Sequence, residues 1–212
     1  MSGVIILAGG GDAAQSKMID DYLKKLLVSK NSSRCLYIPI ALPETHYAQA
    51  EEWFTSTYTY VEDLTALKSA EDASTVLKED YDVIYMGGGN TGKLLTELHT
   101  YGLDVYIKEQ LNKGAVVYGG SAGAIVLGKT IETAPPDEHS SNGRNQGLDL
   151  LSGFSVVPHF DGKFSPAHNE AAKRNQSGLL GISESTGVVF EGGRIVKVVH
   201  PEGLQKIESA DL

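Results

Sequence analysis

Several features that would define a class of protein are missing from this 212-residue chain. It has one cysteine, Cys35, so it can form no disulfide bond within itself, and that residue lies in an apolar run that predicts a buried strand. The 27 acidic residues outnumber the 18 basic ones, and no stripe of Lys and Arg is present, which argues against binding to nucleic acid. No apolar run approaches the ~20 residues that a membrane-spanning helix needs.

The first residues, MSGVIILAGGGD, contain neither the basic segment nor the longer apolar segment of a secretory signal. A single cysteine also agrees with a reducing compartment. We therefore expect a cytoplasmic protein whose partners include neither nucleic acid nor a membrane.

The composition that remains is typical of a globular protein, with 41% hydrophobic and 21% charged residues. A chain of this length suits one hydrophobic core, because single cores stop growing only near ~250–300 residues. We expect one α/β domain over residues 1–212.

Short apolar runs recur along the chain, and each is continuously apolar rather than alternating, which is typical of strands buried on both faces of a parallel sheet. Between the first two runs, residues 16–30 repeat apolar side chains at three- and four-residue steps, the pattern of an amphipathic helix. This alternation predicts an open, doubly wound α/β sheet. The runs are 4–8, 35–41, 83–87, 115–119 and 155–159.

Two segments depart from this alternation. Residues 187–193 and 194–199 are apolar runs joined across a Gly-Gly turn, which predicts an antiparallel hairpin at the C-terminal end. Residues 129–153 are rich in turn-forming residues and predict one long surface loop. Long loops in compact domains often carry function.

The stretch YGGSAGA at 118–124 follows a buried run and precedes a segment that can form a helix. Gly119-x-Ser121-x-Gly123 in this context is the pattern of a nucleophile elbow, in which small neighbours let the backbone hold an exposed serine in a strained turn. The N–H of the next residue, Ala122, then points at the developing oxyanion. The alternative is a tight turn whose glycines serve packing alone.

A second glycine cluster, MGGGNTGKLL, occupies residues 86–95. Gly87 to Lys93 has the spacing of a phosphate-binding loop, but Leu94 stands where that loop needs a hydroxyl for Mg²⁺. We favour a loop whose backbone N–H groups, before a helix, bind an oxyanion opposite the serine. A plain turn and a nucleotide loop are the alternatives.

A third cluster, AGGGDAA at 8–14, loosely fits the dinucleotide fingerprint through Gly9, Gly11 and Ala14. That fingerprint also needs an acidic residue at the end of the next strand, and here the next run ends in IPIA. We therefore expect a glycine turn that leads into a helix capped by Asp12.

A nucleophilic serine needs a base, and of the six histidines only His159 ends a buried run. The carboxyl ends of parallel strands meet at one edge of a sheet, so His159 can reach Ser121 there, although a purely structural role is the alternative. A carboxylate must orient the imidazole. The residues alone do not choose it: Asp149 fits a Ser-acid-His order, and Glu184 precedes a strand. The other candidates are Glu132, Asp137, Glu138, Asp161, Glu170 and Glu191.

The segments LAGGG, GGGNTGKLL, GGSAGA, VPHFD and GISESTGVVFEGG together resemble the peptidase E (aspartyl dipeptidase) and cyanophycinase family of serine peptidases over nearly the whole chain. The resemblance implies a three-layer α/β/α sandwich related to class I glutamine amidotransferases, which carry cysteine where Ser121 stands. It implies a Ser–His–Glu order, with Ser121 as nucleophile, His159 as base and Glu184 as the acid that orients it.

The same resemblance implies which groups contact the substrate. Family members that prefer an N-terminal aspartate hold its side chain with a basic residue after the histidine. The implied groups are the backbone N–H groups of Gly88, Gly89 and Ala122 as oxyanion donors, and Asn90, Lys173 and Arg174 as substrate-binding side chains.

The sequence thus predicts a serine peptidase that cleaves small peptides in the manner of a dipeptidase, with an acidic N-terminal residue (Asp-X) as the family's preference. Neither a metal nor an organic cofactor is expected, and the protein is expected to be a monomer or a homodimer. The alternative, from another class, is a non-catalytic protein on the same scaffold that binds a small anionic molecule at its glycine loops.

Overall fold

The computed structural model describes residues 2–30, 34–201 and 207–210. Strands and helices alternate through the first half of the chain, as the apolar runs predict. Within the described residues the strands are β1 (Val4–Ala8), β2 (Arg34–Ile38), β3 (Asp63–Ala66), β4 (Val83–Met86), β5 (Val116–Gly120), β6 (Phe154–Val157), β7 (Gly178–Ile182), β8 (Gly187–Glu191), β9 (Arg194–Val199) and β10 (Ile207–Ala210). The helices there are α1 (Ala13–Lys30), α2 (Tyr47–Thr57), α3 (Ala70–Val76), α4 (Thr91–Thr100), α5 (Leu103–Lys113), α6 (Ala122–Leu127) and α7 (Pro166–Asn175), with short 3₁₀ turns at Glu44–His46 and Pro136–Glu138.

A seven-stranded sheet in the order β3-β2-β4-β5-β1-β8-β9 forms the centre of the molecule. Strands β1 to β5 pair in parallel, whereas β8 runs antiparallel to β1, and β9 runs antiparallel to β8. The mostly parallel α/β fold is therefore confirmed.

Helices cover both faces of this sheet. Alternate residues of β1 point to opposite sides, so Ile5 packs in one core with α3 to α6, while Ile6 packs in another core with α1 and α2. Helix α1 buries Ile19, Leu23 and Leu27, which belong to the predicted apolar face. The result is the three-layer sandwich that the resemblance implies. In the part of the chain that the structure describes, no helix combines the length and the hydropathy needed to span a bilayer.

Strands β8 and β9 form the predicted antiparallel hairpin. Its turn contains Gly192 with φ 57° and Gly193 with φ 79°. Two successive positive φ angles are the signature of a type I′ turn, whose twist matches that of the flanking strands.

The strand that precedes His159 does not belong to the main sheet, so the prediction that its run joins the parallel sheet is wrong. Strand β6 pairs in parallel with β7, and β7 pairs with β10, in a separate three-stranded sheet. The reason lies in the main sheet: β8 occupies the side of β1 that β5 leaves free, and helix α7 returns the chain from β6 to β7.

The segment 129–153 is irregular, as its composition predicts, and exposed at residues 141–144, but it does not lie wholly on the surface. Ile131, Leu148 and Leu151 are buried, and they pack in the same core as α4 and α6. Hydrogen bonds satisfy the backbone inside it: Asn145 O accepts from Thr130 Oγ1 at 3.0 Å and from Ile131 N at 2.8 Å. A buried loop is tolerated because its polar groups are paired in this way.

Candidate active site

Ser121 stands at the turn between β5 and α6, as the elbow pattern predicts, with φ 51° and ψ −113°. A positive φ is uncommon for a residue with a side chain, and it persists only where the surroundings enforce it. Here Ser121 N donates to Ala8 O at 3.2 Å, and Ser121 O accepts from Ala124 N at 2.9 Å. The turn is therefore fixed to β1 on one side and to α6 on the other.

The small residues around the serine are required by close backbone packing. A Cβ atom at Gly119 would lie 2.6 Å from the carbonyl oxygen of Gly123, and a Cβ atom at Gly123 would collide with the carbonyl oxygen of Met86. Packing alone thus explains both glycines, and the same packing presents the serine at the end of β5.

Three side chains form a continuous hydrogen-bonded relay. Ser121 Oγ lies 2.9 Å from His159 Nε2, and His159 Nδ1 lies 2.8 Å from Glu184 Oε1. An ionised carboxylate only accepts hydrogen bonds, so Nδ1 carries the proton and Nε2 accepts from the serine hydroxyl. This is the tautomer in which a histidine acts as a base toward serine.

Glu184 is held in its ionised form by two donors. The hydrogen bond from His159, and then the one from Gln15, lower the pKa of its carboxyl below the usual value. Gln15 Nε2 donates to Glu184 Oε2 at 2.7 Å, and Gln15 Oε1 accepts from the backbone N–H of Asp12 at 2.8 Å. Gln15 is thus a positioning residue that acts through Glu184, and the sequence reasoning missed it. Its one signal was its place in the first turn of a helix that follows a glycine-rich strand end.

The glycine turn after β1 supports the histidine. His159 has φ 51°, and its N–H donates to Gly9 O at 2.8 Å. A Cβ atom at Gly10 would overlap the imidazole, so only glycine fits against that ring. Asp12 Oδ1 accepts from the N–H groups of Ala14 and Gln15 at 2.9 Å, which confirms the predicted cap. The turn therefore leads into a capped helix, as predicted, and it also packs against His159.

Backbone N–H groups are available opposite the serine. A Cβ atom at Gly88 would lie 3.7 Å from Ser121 Oγ, so Gly88 faces the hydroxyl. Among the described residues, neither Gly88 nor Gly89 donates its N–H to a protein acceptor. Ala122 begins α6, and the first N–H groups of a helix have no partner within it. Gly88 and Gly89 each line a cavity that also contains Ser121, and Ala122 follows Ser121 directly, so all three remain predicted oxyanion donors.

Two residues of the glycine-loop segment have structural roles instead. Asn90 Oδ1 caps α4 by accepting from Lys93 N at 2.7 Å, and Asn90 lines a neighbouring cavity that Ser121 does not reach. Lys93 Nζ donates to Leu42 O at 2.6 Å and to Tyr47 Oη at 2.9 Å. With its lysine engaged, this loop does not fit the nucleotide-binding alternative, and the prediction of Asn90 as a substrate-binding side chain is not supported.

Two cavities meet at the relay and share Ser121 and His159. The polar pocket, of about 460 Å³, is lined by Thr91, Glu138, Asp161, Lys163 and His168 among others. The aromatic cavity, of about 680 Å³, is lined by Tyr37, Trp53, Tyr85, Tyr118 and Gly88 among others. Within residues 2–30, 34–201 and 207–210 no three His, Cys, Asp or Glu side chains are grouped so as to hold a metal ion.

Charge is concentrated in the polar pocket. Glu138 Oε2 accepts from Thr91 Oγ1 at 3.0 Å and from Thr91 N at 3.3 Å, which fixes the carboxylate at the start of α4. Burial lowers the pKa of His168, and its Nδ1 accepts from Ser165 N at 3.2 Å, so this ring is neutral. Lys163 supplies the positive charge of the pocket.

Lys173 and Arg174 do not reach this pocket, which corrects the prediction that they bind substrate. Both are exposed in the last turn of α7, and neither lines a cavity that contains Ser121. Arg174 Nε donates to Glu132 Oε2 at 2.9 Å, so its charge is already paired. The basic side chain of the pocket is instead Lys163, in the loop before α7.

The chain is similar in sequence to proteins of a known family. The sequence model of Peptidase family S51 matches residues 4–198. Peptidase E of Shewanella denitrificans is 26% identical over 194 residues, 86% of this chain and 81% of that protein. Peptidase E of Shewanella baltica is 30% identical over 182 residues, 79% of this chain and 75% of that protein.

Solved structures share the fold. A peptidase from an acI-B1 Actinobacterium superposes with a TM-score of 0.74 at 22% identity, covering 100% of this chain and 95% of the other. A protein of Listeria monocytogenes described as a putative peptidase E superposes with a TM-score of 0.66 at 22% identity, covering 99% and 98%. Since the family match runs through nearly the whole chain and agrees with relatives over four fifths of its length, this protein is a serine peptidase of family S51, the family of peptidase E.

Proposed function

We propose that this peptidase hydrolyses dipeptides and other small peptides through an acyl-enzyme on Ser121. The observation that carries the proposal is the relay from Ser121 Oγ to His159 Nε2 at 2.9 Å and from His159 Nδ1 to Glu184 Oε1 at 2.8 Å. Each member is then within hydrogen-bond reach of the group with which it exchanges or shares a proton.

In the first half of the reaction, Ser121 Oγ attacks the carbonyl carbon of the scissile bond while its proton passes to His159 Nε2. The charge that develops on the carbonyl oxygen is held by the N–H groups of Gly88, Gly89 and Ala122. When the tetrahedral intermediate collapses, the imidazolium gives its proton to the leaving amine, and the acyl group remains on Ser121.

In the second half, water replaces the leaving amine and His159 takes its proton as the water attacks the ester. Collapse returns a proton to Ser121 Oγ and releases the acid product. Glu184 stabilises the imidazolium of His159 in both halves of the reaction. Gln15 keeps the Glu184 carboxylate oriented toward the imidazole ring.

An acidic N-terminal residue suits the polar pocket. The carboxylate of Glu138, fixed by Thr91, would pair with the free α-ammonium group of the substrate. Lys163 would pair with the acidic side chain, in the part that the sequence had assigned to Lys173 or Arg174. Relatives named peptidase E match over most of the chain, which supports a peptidase of this family.

Hydrolysis of a matched pair of dipeptides, Asp-Leu and Asn-Leu, tests the proposal. The wild-type protein is expected to cleave Asp-Leu with the higher kcat/KM, and Ser121→Ala to cleave neither. Lys163→Met should abolish the difference between the two substrates, whereas Lys173→Met, on exposed α7, should leave it unchanged. Binding of Asp-Leu with complete recovery of the intact dipeptide would contradict the proposal and favour the non-catalytic binding protein.

A further inference from the structure

The aromatic cavity differs in size and lining from the polar pocket in which an acidic N-terminal residue is proposed to bind. It is larger than the polar pocket, at about 680 Å³ against about 460 Å³, and Ser121 and His159 form one end of it. Among the residues that the structure describes, neither Lys nor Arg lines it, so it offers no basic partner for an acidic side chain, and its carboxylate is that of Asp12. Its chemistry must therefore serve a different part of the substrate.

The floor of the aromatic cavity presents rings rather than hydroxyl groups. The rings of Tyr85 and Tyr118 stack with centroids 4.3 Å apart. Tyr118 Oη donates to Asp20 Oδ1 at 3.3 Å, and Tyr85 Oη shares a 2.9 Å hydrogen bond with Tyr58 Oη. Because these hydroxyls are engaged beneath the floor, both tyrosines contribute apolar ring surface to the cavity.

The wall formed by β2 and α2 is also aromatic. Tyr37 lines the cavity and is 3% exposed. Among the described residues its hydroxyl has no hydrogen-bond partner, and this hydroxyl is not fully buried. The hydroxyl of Tyr37 is therefore free to contact a ligand. Trp53 lines the same cavity with 39% of its surface exposed. A large apolar side chain left open beside a nucleophile is typical of a binding subsite.

The position of the cavity fixes which part of a substrate it can hold. Of the described residues, only Ser121 and His159 line both the polar pocket and the aromatic cavity. A scissile bond held at Ser121 therefore places one of its two flanking residues on each side. If the N-terminal residue occupies the charged side, the residue on the leaving-group side faces the aromatic wall.

We propose that the aromatic cavity is the subsite for the side chain of the leaving residue and selects a large apolar, above all aromatic, side chain. The inference rests on the proposed dipeptidase function and extends it to the second residue of the substrate. Burial of a Phe-sized side chain is worth about 1.5–3 kcal/mol, which corresponds to roughly a 10- to 150-fold preference over alanine.

The test compares kcat/KM for Asp-Phe and Asp-Ala in the wild type and three variants. The wild type is expected to favour Asp-Phe by at least about 10-fold. Ala50→Trp fills the cavity from α2 and should remove that preference while retaining hydrolysis of Asp-Ala. Ala48→Trp is the matched control, since Ala48 is exposed on the same helix and does not line the cavity. Trp53→Ala, which removes part of the wall, should weaken the preference and gives a second reading if Ala50→Trp does not fold.

The outcomes separate this inference from the function on which it rests. Cleavage of Asp-Ala and Asp-Phe at equal kcat/KM in the wild type would overturn the subsite while leaving the dipeptidase intact. A preference for Asp-Phe that survives in Trp53→Ala and in folded Ala50→Trp would overturn it as well. Failure of the wild type to cleave any dipeptide would remove both proposals.

Discussion

Two residues of the proposed catalytic relay, Ser121 and His159, adopt backbone conformations that residues other than glycine rarely take. Ser121 and His159 both have φ 51°, and each such conformation costs on the order of 1–3 kcal/mol. Each is held by one carbonyl at the end of β1: Ala8 O accepts from Ser121 N, and Gly9 O accepts from His159 N. Because Ala8 and Gly9 are consecutive, the end of a single strand fixes both the nucleophile and the base.

Gln15 positions Glu184 through a hydrogen bond, and substitution of Gln15 tests that role. Gln15→Ala should lower kcat roughly 10-fold with little change in KM, because Glu184 loses one of its two donors but keeps its hydrogen bond with His159. The expected loss is smaller than the loss on the order of 100-fold that follows a full 1 Å misplacement of a catalytic group. The hydrogen bonds from His159 and Gln15 lower the pKa of Glu184, so removal of one should raise that pKa toward its ordinary value of 4.5. Steady-state kinetics and a ¹³C-detected titration of the Glu184 carboxyl group measure the two effects.

Lys17→Ala is the control for Gln15→Ala. Lys17 lies two residues further along α1, is exposed and pairs with Asp21 rather than with the relay. It should change neither kcat nor the titration of Glu184. An unchanged kcat in Gln15→Ala would show that Glu184 needs no second donor.

At the scale of elements, the hairpin of β8 and β9 depends on the chirality of its turn. Gly192 has φ 57°, and a Cβ atom there would meet open space, so a substitution tests conformation alone. Gly192→Val should lower the free energy of unfolding by about 1–2 kcal/mol, because β-branched residues resist left-handed conformations. Gly192→Asn should be nearly neutral, since Asn tolerates them. Urea denaturation at constant m-value distinguishes the pair, and equal losses in both would contradict the turn assignment.

Strands that are apolar along their whole length could be predicted from the sequence, because a strand buried on both faces of a parallel sheet must be apolar at each position. The same reasoning failed for β6, which is buried but belongs to a second sheet. A continuously apolar run indicates burial, but it does not identify the strand with which the run pairs. The run at 155–159 therefore could not show which sheet it joins. The burial of part of the segment 129–153 was missed, because its polar residues pair with each other inside the protein, through contacts such as Thr130 with Asn145.

At the scale of the whole molecule, one carboxylate connects α1 to the sheet. Asp20 lies among Ser16, Tyr58 and Tyr118, each of which donates a hydrogen bond to it. Burial raises the pKa of Asp20 above 3.8, although these hydrogen bonds lower it. The folded state therefore holds the proton more tightly than the unfolded state.

The sign of the pH effect follows from that raised pKa. The contribution of Asp20 to stability is complete below its unfolded pKa and is lost as pH rises through its folded pKa. The stability of the wild type relative to Asp20→Asn should therefore be highest near pH 4 and should fall as pH rises toward 7. Unfolding free energies at several pH values measure this, and a difference independent of pH would contradict it.

The site was predictable only in part. Ser121 and His159 could be found because each follows a buried strand, but Glu184 was chosen through resemblance to a family. Lys163 and Gln15 were missed, because their roles depend on which cavity or which carboxylate they face. Lys173 and Arg174 were wrongly chosen, because sequence distance from His159 does not show which side of α7 meets the pocket.

Reaction with a fluorophosphonate probe shows whether Ser121 is a nucleophile activated by His159. Intact-mass analysis should show one adduct on the wild-type protein, and peptide mapping should place it on Ser121. Ser121→Ala should remain unmodified and His159→Ala should react far more slowly. A wild-type protein that reacts no faster than Ser121→Ala would contradict the account.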